Sequence, residues 1–154
     1  MLYSAQFNEV SVSAEQDLFE LVAPSDAVVV VHQIVLSQRS DVGDAQEEGL
    51  NILLRRGATT SGSGGSSATP ASLQAGSSLA GSTVEVNNTT KAQDGTIATL
   101  HAEAWNVRSP FIWLPPPELR IYLSPGQRLT VELDTVPNDA IVANGVIYFE
   151  ELGG

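Results

Sequence analysis

The segment RLTVELD, residues 128–134, alternates without a break: Leu129, Val131 and Leu133 point one way, while Arg128, Thr130, Glu132 and Asp134 point the other. Successive side chains of a β-strand project to opposite faces, so this pattern predicts a strand with one buried face and one wet face. The same period, with runs of β-branched residues, recurs on both sides of it. Strands are predicted at 3–12, 17–23, 27–37, 50–56, 96–107, 111–114, 119–123, 128–133 and 141–150. No segment carries a helical stripe of useful length. Between the strands lie APSD at 23–26, SPGQ at 124–127 and VPND at 136–139, where proline fixes φ and small polar residues accept turn geometry. Short strands punctuated in this way predict an all-β chain: a single β-sandwich or jelly-roll domain over 1–154 with a long Gly/Ser-rich inserted loop.

The strand faces refine this picture. VVVVHQIVL is apolar on both faces apart from His32 and Gln33, as in a central strand covered on both sides. GLNILLRRG places Leu50, Ile52 and Leu54 on one face. ATLHAEAWN reads with Ala98, Leu100, Ala102 and Ala104 inward and Thr99, His101, Glu103 and Trp105 outward, where a tryptophan beside charged groups invites a partner. Asn144-Gly145 is compatible with a tight hairpin, but the stretch before it is too short. A single closing strand, with Gly145 at a bulge or a close approach, is the preferred reading.

Composition bounds the function. The chain carries 18 acidic residues against seven Lys and Arg, a formal charge of −11, and such a field repels nucleic-acid phosphates and anionic lipid. Neither nucleic acid nor membrane is expected as a partner. The absence of cysteine excludes disulfides and thiolate metal sites. No basic leader or membrane-length apolar run is found, so synthesis in the cytoplasm without an export signal is expected.

Catalytic chemistry has little to build on. His32 and His101 are the only histidines, and neither sits in a nucleophile motif. Asp41, Asp44, Glu47 and Glu48 are oxygen ligands of the type calcium uses, but their spacing is not that of an EF-hand and the loop reads as a solvated acidic turn. The chain therefore reads as noncatalytic, without cofactor or metal.

WNVRSPFIWLPPPELRIYL holds both tryptophans and three consecutive prolines, Pro115 to Pro117, which must form an edge, a crossover or a surface arm. Its aromatic residues either cover the end of the fold or form a contact patch. Trp105, Phe111, Trp113 and Leu114 are the candidate interface residues, because aromatic side chains concentrate binding energy. The segment 57–83, GATTSGSGGSSATPASLQAGSSLAGST, is uncharged and rich in Gly, Ser and Thr. It is expected to be a flexible arm, or one ordered by a partner, with Leu73 and Leu79 as its only anchors.

SQRSDVGDAQEEGLNILLRRG followed by TTSGSGG, then VNNTT, SPGQRLTVEL and the closing VIYFEE, resembles small virion proteins of tailed bacteriophages, most of all the capsid decoration or cement proteins. The resemblance implies a β-sandwich or jelly-roll protomer, often a trimeric homo-oligomer, seated on the outer capsid surface and bound to the major capsid protein. A receptor- or carbohydrate-binding module of a tail or spike remains the alternative, with Trp105 and Trp113 as sugar-stacking platforms. The resemblance carries no family site residues.

Overall fold

The computed structural model describes residues 1–40 and 48–153. The chain is all-β, built from β1 (Leu2–Val12), β2 (Gln16–Val22), β3 (Val28–Gln38), β4 (Gly49–Thr60), β5 (Ser66–Ser67), β6 (Ala71–Ser72), β7 (Thr83–Asn88), β8 (Gln93–Asn106), β9 (Phe111–Trp113), β10 (Ile121–Leu123), β11 (Arg128–Leu133) and β12 (Ile141–Leu152). Each predicted strand has its counterpart. The three strands between Ser66 and Asn88 are additional. Among the described residues the strands form two antiparallel sheets. The first runs β10-β3-β12-β1-β6, with β9 also on β3, and the second runs β5-β7-β2-β11-β4-β8.

One hydrophobic core joins the sheets. It is filled from the first sheet by Tyr3, Phe7, Val31, Ile34 and Phe149, and from the second by Phe19, Leu21, Leu50, Leu54 and Leu129. Phe7 and Phe19 meet across it with ring centroids 5.2 Å apart, and each fully buried side chain of this kind contributes ~1.5–3 kcal/mol. The closing strand runs unbroken through Asn144-Gly145, with Gly145 paired to Phe7 on one side and to Leu36 on the other.

The wet face predicted for β11 is not wet. Thr130 and Glu132 are buried along with Leu129, Val131 and Leu133, because the chain after β4 and the turn after β7 fold back over this side of the second sheet. Glu20 of β2 is the anchor. Its carboxylate accepts hydrogen bonds from Ser61 Oγ at 2.8 Å, Gly62 N at 2.9 Å and Asn88 Nδ2 at 3.2 Å, and it pairs with Arg128 at 2.6 Å. Glu132 pairs with Arg55 and Lys91, each at 2.6 Å. Burial by itself pushes the Glu132 carboxyl up, but the hydrogen bonds from Lys91 and Arg55 outweigh it and hold the group below its ordinary value. Lys91 shows the converse: burial pulls it down, and its bonds to Glu132 and Glu15 raise it overall. Among the described residues no cation lies within ion-pair distance of Asp17, and Lys91 acts on it only through space. Its pKa is raised to about 7, chiefly by burial, against the hydrogen bond it accepts from Ala92 N at 2.7 Å.

The segment 57–83 is thereby laid along its own chain. β5 pairs with β7 and β6 pairs with β1, so the segment leaves the edge of one sheet and reaches the edge of the other. Its composition has a geometric reason. A Cβ on Gly65 would stand 2.1 Å from the carbonyl oxygen of Val86, so the backbone approaches this closely only where no side chain intervenes. Leu73 and Leu79, the expected anchors, are exposed. Backbone and carboxylate hydrogen bonds hold the segment instead.

Candidate functional site

The opposite edge is built differently. β8 forms the free margin of the second sheet, while β9 and β10 lie end to end along β3 at the margin of the first. The chain between them, from Leu114 to Arg120, bows outward. Pro116 holds φ −60° and ψ 159°, close to polyproline II geometry, and a single 3-10 turn at Pro117–Leu119 returns the chain to β10. Between this bow and β8 lies a groove of about 750 Å³.

The alternation of the strands decides what faces the groove. In β9 and β10, Phe111, Trp113, Ile121 and Leu123 turn inward and Ile112 and Tyr122 outward. In β8 the pairing with β4 shifts between Leu54 and Arg55: Leu54 lies opposite His101 and Arg55 opposite Thr99, which leaves Leu100 as an extra residue. This β-bulge inverts the faces on its C-terminal side. His101, Glu103 and Trp105 lie opposite Leu54, Ile52 and Leu50 in the register; Trp105 is buried, while Ala102, Glu103 and Ala104 are exposed.

The predicted outward Trp105 is therefore corrected: it is 2% exposed, and its indole N–H donates to the Ser109 carbonyl at 2.8 Å. Phe111 and Trp113, at 3% and 7%, are likewise core residues of their own chain. Of the predicted contact residues, Leu114 alone is exposed in the groove. Leu73 and Leu79 lie with the segment at the other edge.

What the sequence reading missed is the set around Leu114. Leu100, Ile112, Leu119 and Tyr122 are all exposed large hydrophobic side chains, and all line this groove. The signal was present in FIWLPPPELRIYL, where alternation separates Ile112 and Tyr122 from the inward Phe111, Trp113 and Ile121. The five apolar groups, with Pro115 and Pro116, make an unusual concentration of exposed apolar surface for an acidic chain.

The charges in the groove are distinctive too. Arg39, Arg55, Lys91 and Arg128 each face a carboxylate. Arg56 and Arg120, both lining the groove, face none among the described residues, and the Nε of Arg120 is buried without a hydrogen-bond partner. Glu103 stands 3.8 Å from His101 and Glu118 lies on the bow. The other histidine, His32, contacts Glu150 at 3.0 Å elsewhere in the first sheet.

Among the described residues no group of three or more His, Asp or Glu side chains is placed to hold a metal ion. Asp41, Asp44 and Glu47 lie outside the described residues, and Glu48 accepts a hydrogen bond from the Asn138 backbone. No helix of the described residues is long and apolar enough to cross a membrane. The groove thus combines exposed apolar side chains, the edge strand β8 and the side chains of Arg56 and Arg120. Comparison of the chain with protein families, with curated proteins and with solved structures finds no match.

Proposed function

We propose that this chain is a noncatalytic virion structural protein, a β-sandwich protomer that decorates and cements a tailed-phage capsid through repeated contacts made by the groove between β8 and the β9–β10 margin. The observation that carries this reading is the gathering of Leu100, Ile112, Leu114, Leu119 and Tyr122 on that one groove, since exposed apolar side chains gathered in this way mark a surface made to be covered. The strand orders β10-β3-β12-β1 and β2-β11-β4-β8 support it, being those of two interleaved Greek keys facing each other. We read this as a jelly roll, an architecture shared by viral capsid and lectin domains. The resemblance of the sequence to decoration proteins points the same way. Many weak contacts repeated over a lattice replace tight binding at one site.

The test is a count of copies per purified virion by quantitative mass spectrometry against the major capsid protein, paired with co-sedimentation of a Leu114→Asp, Leu119→Asp variant with particles. Hundreds of copies on the virion and loss of binding by the folded variant are expected. Unimpaired binding by that variant would refute the assignment. A handful of copies, together with glycan binding abolished by Tyr122→Ala, would favour the tail or spike module, whose predicted platforms Trp105 and Trp113 are buried.

A further inference from the structure

We infer that the partner seated in the groove is a second copy of this chain, joined head to tail, with the loop around Leu79 of one copy entering the groove of the next. The inference rests on the reading of the groove as a docking surface and goes beyond it by naming the occupant.

Leu79 is 83% exposed, more than any other large hydrophobic side chain among the described residues. It is not on a loose tip. Tyr3 Oη donates to the carbonyls of Ser78 and Leu79, and the Glu151 carboxylate accepts from Gly81 N, Ser82 N and Ser82 Oγ. Nearby, Leu73 is also exposed, its N–H bonded to the Leu2 carbonyl at 3.0 Å. A loop tied down on both sides of an exposed leucine has already lost most of the freedom that binding would otherwise remove, so it is preorganised as an apolar knob.

Knob and groove lie at opposite margins. The loop follows β6, the last strand of the first sheet on one side, and the groove lies between β8 and the β9–β10 margin on the other. A contact between two different surfaces of identical chains is heterologous, and it either closes into a ring or extends.

Charge supports this pairing. Asp26, Glu85 and Glu151 border the hollows that Leu79 shares at the knob, while Arg56 and Arg120 stand in the groove without carboxylate partners among the described residues. In a chain of net charge −11, self-association needs a place where acid meets base across the contact. This pairing supplies it, with Glu103 and Glu118 at the groove as the opposing charges.

The experiment is sedimentation velocity on the full chain over a wide concentration range, with Leu79→Asp as the knob variant and Leu119→Asp as the groove variant. Both side chains are exposed in the protomer, so unchanged circular dichroism and melting are expected. If either variant fails to fold, Leu79→Ser or Leu119→Ser takes its place. Wild type is expected to form a ring or a growing chain, and each variant to associate ~10-fold or more weakly. An equimolar mixture of the two should yield a heterodimer and nothing larger, because it holds one intact knob facing one intact groove.

A wild type that stays monomeric throughout would overturn the inference. So would oligomers indifferent to Leu79→Asp, as edge-to-edge pairing of two β8 strands would give, or a mixture that fails to restore the dimer. Particle binding by a wild type that stays monomeric would remove this inference and leave the capsid reading standing. Head-to-tail assembly by a chain missing from virions would do the reverse.

Discussion

The ring of Phe7 lies over Gly145, its register partner in the neighbouring strand, so closely that a Cβ on Gly145 would stand 2.4 Å from Cε1 of Phe7 and 3.0 Å from Cε2 of Phe19. Both rings are held in the shared core and cannot swing into solvent. Gly145→Ala is therefore expected to destabilise the fold by ~1–3 kcal/mol through overpacking. Urea unfolding checks this, and adding Phe7→Leu to the alanine variant should recover part of the loss.

Trp105 and Trp113 belong to the protomer's core, whereas Leu119 is 68% exposed. Trp105→Ala or Trp113→Ala should cost ~3–5 kcal/mol, and Leu119→Asp should leave the unfolding midpoint nearly unchanged. Tryptophan emission of the native protein should be blue-shifted and poorly quenched by acrylamide. Strong quenching would contradict the burial of both indoles.

Asp17 makes stability depend on pH in a definite direction. Its native pKa is raised to about 7 from an ordinary 3.8, so between those values the native state binds a proton that the unfolded chain has released. The contribution of this group is favourable at low pH and falls as pH rises towards 7. Asp17→Asn keeps an acceptor for Ala92 N without the buried charge. At pH 8 it is expected to gain ~2–4 kcal/mol over wild type, and near pH 4 to gain little. Chemical denaturation of both proteins at the two pH values decides the matter.

Glu20 fastens the segment 57–83 to the second sheet through Ser61, Gly62 and Asn88 while neutralising Arg128. Glu20→Ala leaves that cation and the Gly62 amide without their acceptor, at an expected cost of ~3 kcal/mol or more. Hydrogen exchange should accelerate at Gly62 and Gly65 before it does in β12. Uniform acceleration across the molecule would show that the segment is no separate cooperative unit.

Alternation made the strands legible. RLTVELD, FIWLPPPELRIYL and the unbroken closing strand carry their period in adjacent residues, and each lies in a sheet where that period predicts a strand. Within FIWLPPPELRIYL even the groove residues Ile112 and Tyr122 were recoverable.

The amino-acid sequence by itself thus determined an all-β chain and nine of its twelve strands, and it marked Gly145 as a bulge or a close approach. Tertiary structure alone decided that Trp105 turns inward, because the bulge at Leu100 arises from register against β4 and leaves no mark on the local pattern. It also decided that a segment with the composition of a linker is hydrogen-bonded to the buried carboxylate of Glu20. Glu20 and Gly62 are far apart in the chain, and hydrogen bonds between backbone amides and a distant side chain have no period to read.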